Sequence, residues 1–403
     1  MNISIDKGIK YLADNIVNSC GLYIILWLIY YLQGFAYSKG GAISKCSLAL
    51  ILAITLYTSF KYFIVYHGND YSKKLLLLLL MFSIYGGFHM LFDEQMILAG
   101  KPYEKFKYLQ YIYLSILPVF SFSYFVLEGK LNVKLIVFFI PIFILITVAQ
   151  YIENRQVRLE MVIKNGGSSH AELTNNVAYV FLSILPLTTL IKNIFIKYFY
   201  LFVLMVFIFL GMKRGSIFIG SLLFLYITIK TVQNSPRNMK FFVLLLTLLF
   251  LLLVSSYLDA KLSDSHYFQY RLNKTLQGDS NGRSSLFGVF WEEFKYSPSL
   301  IQQLFGNGAD STIRIGGNFA HNDWLEILTN QGLFGIVVYL FYWFSFIRLY
   351  FRSKGVEPAH MMVTMVLCVC FLKTLFSMSY GDMDIFLGIG VAWSSTYINE
   401  YCK

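Results

Sequence analysis

Apolar residues dominate this chain in long runs that are separated by short polar connections. A helix that crosses a bilayer needs about 20 largely apolar residues. Twelve runs approach that length, at roughly Cys20–Tyr37, Ser47–His67, Leu75–Phe92, Leu109–Leu127, Leu135–Ile152, Val177–Ile191, Tyr198–Met212, Ile217–Ile229, Phe241–Leu258, Gly332–Phe351, Met361–Ser379 and Ile385–Ile398. The leucine stretches lack the alternation of a barrel strand. The pattern therefore predicts an all-α, polytopic bundle of about 12 transmembrane helices, or eleven to thirteen because the seventh and eighth runs nearly fuse.

One long polar stretch, Asp259 to Gln331, interrupts this pattern late in the chain. Within it, apolar periodicity predicts an amphipathic helix over residues 283–296 and a second short helix over residues 324–329, which stops near Gly332. We interpret the chain as one membrane domain in three parts. Residues 1–258 form a bundle of about nine helices, residues 259–331 a large helical loop, and residues 332–403 the C-terminal helices.

Composition agrees with a membrane protein. Hydrophobic residues make up 57% of the chain and charged residues 14%, whereas soluble domains carry about 25% charged residues. The net charge of +11 comes from Lys and Arg that stand one to three at a time. Such scattered charge favours contact with membrane lipids, or with an anionic lipid-linked substrate, over nucleic acid. The five cysteines match no metal-site spacing.

The positive-inside rule orients the bundle. Two basic clusters fall on one side if every run spans once: Lys230, Arg237 and Lys240, and Arg348, Arg352 and Lys354. Lys101, Lys105 and Lys107 fall on the other side, partly balanced by acidic neighbours. We place both termini in the cytoplasm, so that the segment 259–331 faces outward.

His321 is the first candidate for chemistry. A neutral imidazole at the outer membrane surface could take a proton from a sugar hydroxyl near neutral pH. The alternative is a structural histidine at a helix start, bonded to the backbone or to Glu326.

Two arginines are candidates for binding an anion. Lys213 and Arg214 stand where two apolar runs meet, and charges at membrane depth mark functional sites by default. The fixed donor fork of a guanidinium suits phosphate. Arg283 stands at a helix start, where the helix dipole favours anions. The alternatives are snorkelling of Arg214 to the headgroups and pairing of Arg283 with Asp279 in solvent.

Three further residues could contribute to a site. Lys373 lies within the eleventh run, and Asp382 and Asp384 follow in the next outer loop. They could form an ion pair that positions a substrate, or a snorkelled lysine beside a polar turn. We interpret the remaining charged residues of the polar stretch as surface groups: Glu292, Glu293, Lys295 and Arg314.

Together these motifs resemble the O-antigen ligase and O-antigen polymerase superfamily. The resemblance rests on three stretches in order: Arg214-Gly215-Ser216 at an outer membrane boundary, Gly282-Arg283 with Trp291, and His321-Asn322 with Leu325, Glu326, Gly332 and Gly335. The family usually has Ser before the first arginine, where this chain has Lys213. The resemblance covers the second half of the chain, and the first half agrees only in hydropathy.

The resemblance implies a membrane glycosyltransferase with a GT-C-like fold. It implies an undecaprenyl-diphosphate-linked oligosaccharide as donor, no cofactor or metal ion, and inversion at the anomeric carbon. His321 would be the catalytic base, and Arg214 and Arg283 would hold the diphosphate. Lys213, Asn322, Glu326, Lys373, Asp382 and Asp384 are secondary candidates.

Within this class the acceptor separates two hypotheses. A polymerase extends the glycan on another undecaprenyl-diphosphate-linked repeat unit and can have a chain-length regulator as partner, whereas a ligase transfers the glycan to lipid A–core. The Tyr- and Phe-rich first half favours a surface-polysaccharide polymerase. A third hypothesis is a transporter of lipid-linked oligosaccharide without catalysis, which predicts repeat symmetry between the halves.

Overall fold

A computed structural model describes residues 19–93, 97–98, 101–164, 173–264, 273, 283–297, 299–377 and 384–401 of the chain. Among the predicted site residues, Asp382 lies outside the described residues, and so does the side chain of Arg283.

Each of the twelve apolar runs forms a helical segment. The first nine are α1 (Cys20–Tyr31), α2 (Ala42–Tyr66), α3 (Asp70–Phe92), α4 (Phe106–Leu127), α5 (Val133–Lys164), α6 (Ala178–Ile184), α7 (Ile194–Leu210), α8 (Arg214–Asn234) and α9 (Arg237–Asp264). A two-stranded antiparallel hairpin, β1 (Ile97–Leu98) and β2 (Lys101–Pro102), joins α3 to α4. A 3₁₀ segment, Leu185–Leu190, continues α6 with Pro186 near its start.

The second half adds three short helices and three long ones. The short helices are α10 (Arg283–Lys295), α11 (Leu300–Phe305) and α12 (Ser311–Gly316), and the long ones are α13 (Asp323–Ser353), α14 (Ala359–Phe376) and α15 (Ile385–Tyr401). The predicted amphipathic helix is thus confirmed as α10. The predicted short helix at 324–329 is the first part of α13, and Gly332 interrupts α13 with a φ of 65° and a ψ of −159°.

Within the described residues, seven helices are long and apolar enough to cross a membrane, and several shorter apolar helices lie between them. This confirms a polytopic, all-α membrane protein. Helix α9 is the least buried of the seven, with 11% of its apolar part buried by other parts of the protein. Such exposure of apolar side chains is expected where lipid tails are the solvent. The three-part division at residues 258 and 331 stays a prediction.

The helices alternate in direction, so their ends collect at two opposite ends of the bundle. A cavity at one end joins Tyr31 at the end of α1, Lys213 before α8 and Lys373 near the end of α14. We call this the site end. A second cavity at the other end joins Tyr66 at the end of α2, Leu127 at the end of α4 and Glu400 in α15.

Aromatic packing holds the helices that frame the site end. Tyr71 of α3 packs against Tyr342 and Phe346 of α13, with ring centroids 5.7 and 5.0 Å apart. Phe143 of α5 packs against Phe386 of α15 at 4.7 Å. These contacts hold α3 against α13 and α5 against α15, and the site ends of these helices carry or adjoin the candidate residues.

Candidate active site

A cavity of about 430 Å³ opens at the site end of the bundle. Its lining brings together four of the candidate residues: Lys213, His321, Lys373 and Asp384. These residues come from parts of the chain up to 171 positions apart, between Lys213 and Asp384. The cavity falls within the size range of small-molecule sites, roughly 300–1,000 Å³.

His321 stands immediately before helix α13 with its backbone in the left-handed region, at a φ of 53°. Residues other than glycine rarely adopt this conformation. Those that the surrounding structure holds in it are often found at functional sites. Asn322 follows as the N-cap of α13, and its side-chain oxygen accepts from the main-chain N–H groups of Trp324 and Leu325 at 3.0 and 3.1 Å. This N-cap fixes the backbone that follows His321.

Glu326 fixes the chain on the other side of His321. Its carboxylate is fully buried and accepts from the main-chain N–H of Ala320 at 2.7 Å. It also accepts from the Thr312 hydroxyl and from Asn330 Nδ2. The two secondary candidates Asn322 and Glu326 therefore hold the backbone on either side of the histidine, in positioning contacts rather than in the cavity lining.

Lys213 and Arg214 lie at the junction of α7 and α8. The N–H of Asn175 donates to the Gly211 carbonyl at 2.8 Å, and a Cβ on Gly211 would lie 2.6 Å from the Cβ of Ala178. This close approach fixes the junction, where Lys213 lines the cavity and Arg214 begins α8 half-buried. Two cations at the N-terminus of a 21-residue helix make this corner favourable for an anion.

Lys373 and Asp384 also line the cavity. Lys373 is 2% exposed, and its Nζ lies 5.6 Å from the ring centroid of Tyr179. Asp384 precedes α15 and accepts from the N–H groups of Phe386 and Leu387 at 3.1 and 3.2 Å. A buried lysine over an aromatic face is a cation–π contact. The structure thus places both residues at the predicted site.

Arg283 is the first residue of α10, as predicted. Phe290 of the same helix is fully buried, and a Cβ on Gly316 would lie 2.7 Å from its ring, so α10 packs closely on α12. Trp291, which contributes to the resemblance, is 52% exposed, whereas its neighbour Phe290 carries the packing of this helix. Glu292, Glu293, Lys295 and Arg314 are exposed, as predicted.

Sequence reasoning missed the aromatic wall of the cavity. Trp27, Tyr30 and Tyr31 of α1 form one cluster, with ring centroids 5.6 to 6.3 Å apart, and Tyr111 and Tyr179 complete the wall. The faces of aromatic rings pack well against the C–H faces of sugar rings. The available signal was the concentration of Tyr at the site ends of several runs.

The charges that line the cavity are mainly basic: Lys213 and Lys373, with His321 and one carboxylate, Asp384. Among the described residues, no group of three or more His, Cys, Asp or Glu side chains is placed to hold a metal ion. Metal-independent chemistry remains a prediction.

Residues 199–340 match the model of the family described as O-antigen ligase. None of the curated proteins matches the chain. The matched segment contains Arg214, Arg283 and His321, which carry the resemblance seen in the sequence. The match therefore supports, over the second half of the chain, the resemblance to the O-antigen ligase and O-antigen polymerase superfamily.

Proposed function

We propose that this protein is a surface-polysaccharide polymerase. It transfers a growing glycan from undecaprenyl diphosphate to a sugar hydroxyl of another undecaprenyl-diphosphate-linked repeat unit. The observation that carries the proposal is the shared cavity: His321, Lys213, Lys373 and Asp384 line one space with five aromatic side chains, and Arg214 adjoins it. The family match supports O-antigen ligase or polymerase chemistry in general.

In the proposed reaction, an imidazole nitrogen of His321 accepts the proton of the acceptor hydroxyl. The acceptor oxygen forms a bond to the anomeric carbon while the bond from that carbon to the diphosphate oxygen breaks. Attack from the face opposite the leaving group inverts the anomeric centre. General base catalysis of this kind contributes roughly 10²–10⁴-fold to the rate.

The leaving group carries the electron pair away as an undecaprenyl diphosphate. In many enzymes, fixed donors aimed at such developing charge contribute more to catalysis than any other group, and removing one costs about 3 kcal/mol in comparable cases. Arg214 and Arg283 take this role in the proposal, and Lys213 adds charge at the same helix start. In the proposal, Lys373 and Asp384 contact the sugar within the same cavity.

Orientation follows from the basic clusters at the opposite end of the bundle. Lys230, near the end of α8, and Lys354, just after α13, both lie close enough to His360 to act on it electrostatically. One residue of each cluster predicted to share a side is therefore found at the same end. By the positive-inside rule we expect that end to face the cytoplasm, which supports a position of the proposed site on the periplasmic side of the inner membrane of a bacterial cell.

The direct test uses purified protein in lipid nanodiscs with undecaprenyl-diphosphate-linked repeat units, with and without lipid A–core. A ladder of products without lipid A–core supports the polymerase. A single adduct on lipid A–core would instead establish a ligase. If neither product forms while the labelled lipid is moved between leaflets of a vesicle, the protein is a transporter and the proposed chemistry is wrong.

A further inference from the structure

A second buried polar cluster lies at the site end, outside the transfer cavity. His89 of α3 is buried, and its Nδ1 lies 2.6 Å from Asp93 Oδ2. Its other nitrogen, Nε2, lies 4.0 Å from Oδ2 of Asp310, which is 3% exposed. Both of these atoms are buried without a hydrogen-bond partner in the described part of the chain. Leaving buried polar atoms unmatched destabilises a fold, so this pair needs an explanation.

The chemistry of the two groups gives one. Asp93 accepts the Nδ1 proton of a neutral His89, so Nε2 then presents a lone pair to the carboxylate oxygen of Asp310. Two lone pairs repel at this distance, and the 4.0 Å gap is too long for a hydrogen bond. A single proton placed between them, on either atom, converts the contact into a hydrogen bond or an ion pair.

The surroundings favour a proton on this pair. The groups that face it are Asp93 just after α3, Tyr103 just before α4, Tyr108 in α4 and Glu326 in α13. Lys105 adds a cation beside Asp93, where its Nζ donates to the main-chain oxygen of that residue.

Burial first, and then the charge of Glu326, raises the pKa of Asp310 to about 7, while a hydrogen bond with Tyr103 acts to lower it. The ordinary value is 3.8. Asp310 therefore changes its protonation near neutral pH.

The pair is connected to the catalytic position through short contacts. Two residues after Asp310, the hydroxyl of Thr312 donates to Glu326. Glu326 in turn accepts from the N–H of Ala320, at 2.7 Å, immediately before His321. Movement of the chain at Asp310 would therefore disturb the groups that hold the backbone of His321.

We propose that His89 and Asp310 form a proton-dependent latch that holds residues 306–317 against helix α3 and so keeps His321 in its working position. The positioning role rests on the proposed function, whereas the latch itself does not. With the shared proton in place the segment is held, and with the proton lost it opens more often.

The direction of the pH dependence follows from linkage. In the open state Asp310 meets water and titrates near its ordinary value, whereas in the latched state it titrates near 7. Between those two values the latched state binds more protons, so each unit of rising pH favours opening by up to about tenfold. Below that window the latch is fully closed, and above about pH 7 the opening levels off.

Thiol labelling measures the opening directly. Ala309 is 2% exposed and adjoins Asp310, so an Ala309→Cys thiol reacts only when the segment opens. The background replaces Cys46, Cys368 and Cys402 by Ser and keeps the buried Cys20 and Cys370. An Asn318→Cys variant, at an exposed position of the same loop, corrects for the intrinsic pH dependence of the thiol. The full-length protein is labelled with a maleimide between pH 5.5 and 8.5.

We expect the corrected labelling rate to rise at least tenfold from pH 5.5 to 7 and then to level off. In Asp310→Asn, whose amide can donate to Nε2 at every pH, the corrected rate should stay low and constant. A wild-type rate that is independent of pH, or an Asp310→Asn variant with the same pH dependence, would overturn the latch. If Ala309→Cys does not fold, Ile313→Cys, also 2% exposed, serves as the second reporter.

The pH profile of sugar transfer tests the link to His321. Protonation of the catalytic imidazole lowers the rate on the acid side, whereas opening of the latch lowers it increasingly as the pH rises toward 7, with no further loss above that. Asp310→Asn should remove only the loss caused by opening, so that its rate exceeds that of wild type at pH 7 and above, which a general loss of structure would not do. Pronounced pH-dependent labelling in a protein without transfer activity would refute the proposed function alone, and transfer with pH-independent labelling would refute the latch alone.

Discussion

Adding one methyl group at Gly332 should weaken the packing of the polar loop against helix α13. Its φ of 65° lies in the region that favours glycine. A Cβ there would lie 2.5 Å from the main-chain N of Gly306, and 2.7 Å from both the Gln303 carbonyl oxygen and the Leu304 carbonyl carbon. All three contacts are with backbone atoms at the end of α11, which cannot move aside as a side chain can.

The magnitude of Gly332→Ala follows from two effects. Holding alanine in this conformation costs about 1–3 kcal/mol, and overpacking of the backbone contact adds about 1–3 kcal/mol. The expected loss of stability is therefore about 2–6 kcal/mol. The N–H groups of Asn307 and Gly308, which donate to the carbonyls of Thr329 and Asn330 at 2.9 and 3.0 Å, would be pulled from their acceptors as α11 moves.

The assay is the thermal denaturation of the detergent-solubilised protein, followed by fluorescence-detected size exclusion, together with the rate of glycan transfer. At about 2 °C per kcal/mol for a large domain, Gly332→Ala should lower Tm by at least about 4 °C. Transfer should fall too, because α13 carries Glu326 and so holds the backbone beside His321.

Gly288→Ala is the matched control. This glycine lies in α10 of the same loop, and a Cβ there would meet no atom within 4 Å. Alanine is the better helix former by about 1 kcal/mol, so Tm should stay equal or rise slightly. Equal Tm values and transfer rates in both variants would refute the close backbone packing at Gly332, and with it the account of how the loop docks.

Three further substitutions test the site itself. His321→Ala should abolish glycan transfer with Tm within about 2 °C of wild type, and retained chain extension on a polysaccharide gel would eliminate the histidine as base. Arg214→Lys should lower transfer at least about tenfold, since a point charge replaces a fork, whereas the exposed Arg155→Lys should leave it unchanged; equal rates in the two would dismiss the diphosphate role. Glu326→Gln replaces one of the two accepting oxygens by an amide N–H, which then meets at least one of the three donors, so we expect a loss of about 1–3 kcal/mol in stability and slower transfer, and a wild-type Tm and rate would contradict the positioning role.

The transmembrane architecture could be predicted because the signal for it is local. A run of apolar residues of the right length determines a helix in a bilayer without knowledge of its neighbours, and all twelve runs formed helical segments. The extent of α5 could not be predicted in this way. Its apolar run ends at Ile152, but the helix continues through charged residues to Lys164, because long polar side chains are compatible with a helix outside the membrane.

The site could be predicted only in part, for a related reason. His321, Lys213 and Lys373 stand out along the sequence as ionisable groups at membrane boundaries, and the structure places all three on one cavity. The latch pair was not anticipated. His89 is an ionisable residue within an apolar run, but its partner Asp310 lies 221 positions away in a polar loop. An aspartate in such a loop gives no signal in the sequence.

The cavity also combines two parts of the chain with different relationships to the family. The residues proposed to carry the chemistry, Arg214, Arg283 and His321, lie inside the matched segment 199–340. The aromatic wall comes from α1 and from residues 111 and 179, and further lining residues come from α14 and from just before α15, all outside that segment. Bond breaking at a lipid diphosphate makes the same demands whatever sugar is transferred, whereas recognition of the glycan must change with it. Because these two functions come from separate helices, the sugar-binding wall can change without movement of the base or the cations. We therefore expect such variation to accumulate in the first half of the chain, which agrees with the family only in hydropathy.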